Sequence, residues 1–348
     1  MKSYLIMDMQ YGSTGKGLLA GFLAMKEKPD VVVTAWGPNA GHTFIDASGR
    51  KFVHRMLANG IVSPNLKAVL IGPGSVVDIE VLKKEIESCA DILHNKTIII
   101  HPHAAVVLPK HLEAERKNVV IGSTMKGTGA AVIQRIERNP EDLNTASHVI
   151  PQWWMDSIYC LGVDVFVSAK MYNAVMENAR CLQIEGAQGF SLSMYHGQYP
   201  YTTSRDVTPH QVLADCAVPY YIHPCVYGTL RTFPIRVADR YNELGVKIGT
   251  SGPCYDDQIE IDWASLGIEP ELTTVTKLPR RIFSFSFQQL READYMCGPS
   301  KIFLNFANYE SKERLNTLIE RIENITMAQV AWVGHGPTIS DIEEREYN

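Results

Sequence analysis

Near the start of the chain an apolar run, residues 4–7, leads into Gly12-Ser13-Thr14-Gly15-Lys16-Gly17, and Leu18-Leu19-Ala20 then opens a helical pattern. Glycines let backbone N–H groups approach phosphate oxygens, a lysine supplies a point charge, and a helix N-terminus is itself an anion site. The turn can therefore cradle a phosphate, with a plain tight turn as the competing reading. It departs from the Walker A pattern, because Gln10 stands where the first glycine belongs and Gly17 where the hydroxyl residue belongs. A second polar loop, Gly37-Pro38-Asn39-Ala40-Gly41-His42-Thr43, carries a lone histidine. Such a residue is often only structural. Flanked by glycines and Asn39, an imidazole with an ordinary pKa of about 6.5 can donate a proton at neutral pH, which makes His42 a candidate general acid.

These loops need strands to hold them. Apolar runs at 4–7, 31–33, 69–71, 97–100, 119–121, 182–184, 226–230, 302–304 and 330–333 alternate with helical patterns such as 79–93, 165–179 and 312–325. That rhythm predicts an α/β fold, a mostly parallel central sheet flanked by helices. In 312–325, Leu315, Leu318, Ile319 and Ile322 fall on one face while Lys312, Glu313, Glu320 and Glu323 fall elsewhere, so its amphipathicity is structural. No repeat, low-complexity tract or linker divides the 348 residues, which read as one domain, 1–348, with long loops at 10–17, 36–43, 122–129, 185–205, 237–257 and 273–281. In an open parallel sheet, loops at the carboxyl ends of strands build the ligand site.

Composition sets the outer limits. A hydrophobic fraction of 45% with 20% charged residues is that of a globular protein. A net charge of −5 gives no basic footprint for a nucleic acid or an anionic membrane. No window holds 18 uninterrupted apolar residues, and the N-terminus reads as a strand, not a signal peptide. The seven cysteines never form Cys-x-x-Cys, as expected of reduced thiols in a cytoplasm. His101-Pro102-His103 reads as a turn rather than a metal pair, Trp153-Trp154 as packing at a helix start, and residues 343–346 as a solvated tail.

Taken together, the two polar loops resemble the N-terminal signature of the adenylosuccinate synthetase family, W-G-D-E-G-K-G followed by G-x-N-A-G-H-T. Further along, Ile121-Gly122-Ser123-Thr124-Met125-Lys126-Gly127-Thr128-Gly129 is similar to I-G-T-T-x-x-G-x-G. Glu185-Gly186-Ala187-Gln188-Gly189 and His196-Gly197-Gln198-Tyr199-Pro200-Tyr201-Thr202-Thr203-Ser204 resemble E-G-A-Q-G and H-G-x-Y-P-Y-V-T-S. Thr274-Val275-Thr276 through Arg280-Arg281 looks like the aspartate-binding loop, and Gly336-Pro337 like the late nucleotide-base segment. The resemblance implies a P-loop-related fold and a two-step ligation: a γ-phosphoryl group moves to the purine 6-oxygen, and the aspartate amine then displaces phosphate from carbon 6. It implies Gly12, Thr14, Gly15, Lys16, Gly17 and Thr43 at the triphosphate, with Mg²⁺ held by Gly41 and Ser13. His42 would act at the 6-oxygen, with Ser13, Lys16 and Gln188 sharing the catalytic centre. The purine nucleotide would lie on Asn39, Ser123, Thr124, Gln188 and Thr203. Arg138 would come from the neighbouring subunit of a homodimer, and Thr274, Val275, Thr276 and Arg280 would hold aspartate.

Departures from the family pattern select the substrates. Where the family has an aspartate, the base for the purine N1 proton and a Mg²⁺ ligand, this chain has Ser13. A small hydroxyl makes room for a 2-amino group and offers it an acceptor. Leu278 replaces an arginine that reaches the ribose 2′-hydroxyl, and leaving that hydroxyl unpaired costs roughly 1–3 kcal/mol, which favours deoxyribose. The family's guanine-reading T-K-L-D becomes Asn305-Phe306-Ala307-Asn308, an amide and a stacking ring that favour ATP over GTP. These changes match the phage branch of the family, which acts on dGMP with ATP and aspartate on the route to diaminopurine DNA in the host cytoplasm. The alternatives are an ordinary family member using IMP and GTP, and a nucleotide-binding protein that has lost the chemistry.

Overall fold

Strand β1 (Lys2–Asp8) ends in five consecutive buried residues, the mark of a strand covered on both faces. The computed structural model describes residues 1–118, 125–242, 244–273 and 278–346. The run expected as a strand at 119–121, together with Ser123, Thr124, Thr274, Val275 and Thr276, lies outside the described residues. Among the described residues, ten strands form one sheet. Its order is Ile342–Glu344, Gln329–Gly334, Lys301–Asn305, Cys225–Arg231, β1, Cys181–Gly189, Val31–Thr34, Ala68–Ile71, Thr97–Ile100 and Asp164–Val167. Every neighbouring pair runs parallel except the first, which is antiparallel. The α/β expectation holds.

From β1 the chain builds one half of the sheet outward, returns to insert Cys181–Gly189 beside β1, and then builds the other half on the opposite side. Strand order therefore reverses at β1, and ligands of such sheets bind in the crevice outside the carboxyl ends there. Side-chain alternation along β1 places Tyr4 and Ile6 in one core with Leu18, Leu19 and Leu23 of helix α1 (Lys16–Glu27). Leu5 and Met7 go to the other core, with Leu290, Ile319 and Ile322. Each fully buried aliphatic contributes about 1.5–3 kcal/mol, so β1 is anchored from both faces just before its loop begins.

Several expected boundaries shift. The pattern at 79–93 is two helices, Ile79–Ser88 and Ala90–Leu93, meeting at Cys89, whose backbone leaves the helical region. The pattern at 165–179 begins as strand Asp164–Val167, because β-branched residues there pair with Thr97–Ile100; the helix, Ala169–Asn178, starts after Ser168 caps it. Residues 185–189, expected in a loop, continue strand Cys181–Gly189: the Glu185 carboxylate is buried and accepts from the Asn59 and Gly60 amides at 2.9 and 2.7 Å. The tail at 343–346 includes edge strand Ile342–Glu344, and Glu344 pairs with Lys26 of α1. Of the tryptophan pair, Trp154 is buried and Trp153 is exposed. No described helix is long and apolar enough to cross a membrane.

Candidate active site

Outside the carboxyl end of β1 lies a cleft of about 890 Å³. That is near the upper end of the roughly 300–1,000 Å³ usual for one small ligand, so the space suits more than one. Every expected site residue that the structure describes borders it, apart from Arg138. Arg138 is exposed at the end of helix Thr128–Glu137, where its Nε donates to the Ile136 carbonyl at 3.2 Å.

The first loop is shaped from within by a residue the sequence reading passed over. Asp8, fully buried at the end of β1, accepts from the amides of Gln10, Gly12 and Thr14 at 2.8, 3.2 and 3.3 Å and from the Thr14 hydroxyl at 2.5 Å. Gly12 and Thr14 thus donate inward. What faces the cleft as an anion site is the first turn of α1, whose amides have no intrahelical acceptor. Gly15 caps that helix at φ 91°, and a side chain there would collide with the Asn305 amide, so only glycine fits. Lys16 Nζ is held 3.1 Å from Asp8 and 2.8 Å from the Gln188 carbonyl. Ser13 and Gln188 both adopt positive φ, 59° and 64°, a conformation L-residues rarely hold. Such strain gathers where a site needs it.

His42 opens strand His42–Ile45, paired with strand Lys51–His54 so that His42 faces His54. Its ring stacks on Trp36 at 3.8 Å between centroids, and Trp36 is fixed in turn by its indole N–H to the Glu185 carbonyl at 2.9 Å. Nε2 of His42 is buried without a hydrogen-bond partner among the described residues. Burial first, then Lys16 and His54, hold the His42 pKa well below its ordinary value. The expectation of an imidazole near its usual pKa therefore gives way to a neutral ring. Because the folded pKa is depressed, this histidine destabilises the fold only as pH falls below roughly 6.5, where the unfolded chain takes the proton first. A polyanion bound at the first turn of α1 would reverse the local charge. At about pH 6.5, binding of a Mg²⁺-loaded, non-hydrolysable ATP analogue should take up a proton. Calorimetry in buffers of different ionisation enthalpy reads this uptake; it should vanish in His42→Asn, and buffer-independent heats for the unmodified protein would contradict it.

On the opposite wall Asn305, expected to read the triphosphate base, uses its amide inside the fold. Oδ1 accepts from the Phe306 amide at 2.8 Å and Nδ2 donates to the Thr14 carbonyl at 3.4 Å. What this segment presents to the cleft is the Phe306 ring and Asn308, which is exposed. Arg231, fully buried, lies with its guanidinium carbon 3.8 Å from the Phe306 ring centre and donates to the Ser13 carbonyl at 3.1 Å. Leu278 borders the cleft half-exposed, its amide donating to Thr273 Oγ1 at 3.1 Å. Arg280 stands beside Arg231 and Glu271, and burial lowers its pKa. At the far end the Glu115 carboxylate accepts from the amides of Gly127 and Gly129 at 2.7 and 2.9 Å. Asp8, Trp36 and Arg231 share one legible signal, a polar or aromatic residue closing or just following an apolar strand run, which is where a parallel sheet supplies its site.

A phosphate-binding turn at the reversal point of a parallel sheet is the arrangement of nucleotide-using α/β proteins. Comparison with known proteins narrows that class: the sequence model described as adenylosuccinate synthetase matches residues 5–148 and 161–312, and the chain belongs to the adenylosuccinate synthetase family. It is 50% identical to the N6-succino-2-amino-2′-deoxyadenylate synthase of Salmonella phage PMBT28, over 98% of this chain and 97% of that one. The synthase of the same name from Acinetobacter phage SH-Ab 15497 is also 50% identical, over 98% of this chain and 93% of that one. Among solved structures, the succinoaminodeoxyadenylate synthetase of cyanophage S-2L, bound to dGMP and to dATP as an energy donor, superposes with a TM-score of 0.89. It is 42% identical, covering 99% of this chain and 95% of that chain.

Proposed function

We propose that the chain, acting as one domain, joins L-aspartate to C6 of dGMP at the expense of ATP, giving 2-amino-2′-deoxyadenylosuccinate, ADP and phosphate. The naming of its phage relatives supports this reading, and Ser13 is the observation that carries the substrate choice. It is an exposed hydroxyl on the cleft wall where the family pattern has a carboxylate, and it leaves room beside the nucleobase for a 2-amino group. In the first step the purine 6-oxygen attacks the γ-phosphorus and ADP leaves. In the second the aspartate amine attacks C6, and phosphate departs with the electrons of the C6–O bond.

In this reading Lys16 and the amides of Gly15 and Gly17 hold the triphosphate, and His42 places its free Nε2 at the 6-oxygen, where charge builds up. Asn39, Gln188 and Thr203 hold dGMP, with Leu278 against an unhydroxylated C2′. Phe306, Asn308, Gly336 and Pro337 take the adenine, and Arg280 takes an aspartate carboxylate. Arg138, turned away from its own cleft, fits a role across a homodimer interface. Mg²⁺ also fits. Gly41 borders open space, with nothing within 4 Å of where a side chain would begin, and the Ser13 hydroxyl is a second hard donor. Phosphate oxygens and waters would complete the shell, and the ion would screen charge on the transferring phosphoryl group. Host cytoplasm is the matching location.

Release of inorganic phosphate tests the reading. The protein mixed with dGMP, aspartate and ATP should release phosphate only when all three are present. Silence with dGMP, GMP and IMP alike would leave a binding protein without chemistry.

A further inference from the structure

Arg231 is a full positive charge with no exposure to solvent, so its surroundings must be organised around it. Its backbone is clamped to the first loop: the Arg231 amide donates to Gln10 Oε1 at 3.0 Å, and Gln10 Nε2 donates back to the Arg231 carbonyl at 3.3 Å. From there the guanidinium reaches three walls of the cleft. Nη1 donates to the Ser13 carbonyl at 3.1 Å, the planar face covers Phe306 at 3.8 Å, and Nη2 meets Glu271 Oε1 at 2.5 Å with Nη1 3.4 Å from Oε2. Glu271 stands at the base of the loop that carries Leu278 and Arg280. Its carbonyl accepts from the Arg280 amide at 2.8 Å, and Leu272 bridges to Pro279 just inside it. The Tyr309 hydroxyl, from the segment after Phe306, approaches the same carboxylate at 3.5 Å.

We infer that Arg231, through Glu271, is a positioning residue that couples the triphosphate-base wall to the aspartate loop. The inference rests on the assignment of substrates to walls given above. Stacking of a base on Phe306 presses on a ring already backed by the guanidinium, and the same guanidinium holds Glu271, whose carbonyl is tied to the Arg280 amide. Occupation of one wall therefore sets the geometry of the other, and by linkage the effect is reciprocal. Arginine suits the task because its planar fork can stack and pair at once, which a lysine ammonium cannot.

The experiment compares the unmodified protein with Glu271→Gln, Arg231→Lys and the double variant. Glu271→Gln is the gentler change because that side chain is partly exposed, and a melt checks folding of all three. Aspartate KM is measured at saturating and at limiting ATP, with dGMP fixed, and affinity for a non-hydrolysable ATP analogue is measured separately. In the unmodified protein, aspartate KM should fall as ATP rises. In each single variant it should rise about tenfold, lose its dependence on ATP, and leave kcat within about threefold, with the double variant no worse than the poorer single one. An aspartate KM unchanged in Glu271→Gln, or a fall in kcat alone, overturns the coupling. If the unmodified protein turns over no purine, the functional reading fails instead. The analogue titration then decides, because analogue affinity unaltered by both single variants also overturns the inference.

Discussion

Lys16→Met should abolish most turnover and loosen the fold at the same time. The ammonium is the cation at the first turn of α1, and methionine keeps its length without its charge. Removing a positive group aimed at developing phosphoryl charge typically costs about 100- to 1,000-fold in kcat. The same change leaves Asp8 buried without its cation, and loss of one partner from a buried pair costs about 3–5 kcal/mol. Asp8 keeps three amide donors and the Thr14 hydroxyl, so the lower end, about 3 kcal/mol, is expected. Urea unfolding and phosphate release on one preparation check both halves. Turnover within tenfold of the parent would remove Lys16 from the triphosphate site.

Ser13→Asp should move substrate preference toward IMP by about 10- to 100-fold in relative kcat/KM, a range typical of one altered polar contact at a nucleobase. Backbone geometry does not forbid it, because aspartate tolerates the left-handed conformation better than most residues and Ser13 already holds φ 59°. The side chain is exposed, so stability should change by no more than about 0.5 kcal/mol and the kinetics read the chemistry alone. A carboxylate would crowd a 2-amino group while restoring an acceptor for the N1 proton. An unaltered ratio of dGMP to IMP efficiency would refute the steric argument.

The sheet was legible because its buried strands include short, continuous apolar runs, as at 31–33 and 69–71, and such runs need no knowledge of distant partners. Boundaries failed where a tertiary partner decides. Val165 and Val167 carry the same residue types in a helix pattern or a strand, and only the neighbouring Thr97–Ile100 makes them a strand. Edge strand Ile342–Glu344 looks like a charged tail until Gln329–Gly334 pairs with it. In the cleft, the glycines, Lys16 and His42 declare themselves because their chemistry is local to a loop. The roles of Trp36, Arg231 and Glu271 do not, since each acts through a residue far along the chain: Arg231 meets Ser13 across 218 positions and Glu271 across 40. The depressed pKa of His42 was equally hidden, as burial under Trp36 and the nearness of Lys16 are properties of the assembled site.

Competition among nucleotides tests the central claim most directly. The protein is given equal concentrations of dGMP, GMP and IMP with aspartate and an equimolar mixture of ATP and GTP, and the succinylated products and spent triphosphates are identified by mass. 2-Amino-2′-deoxyadenylosuccinate and ADP should dominate. Adenylosuccinate formed chiefly from IMP with GDP accumulating would contradict the account.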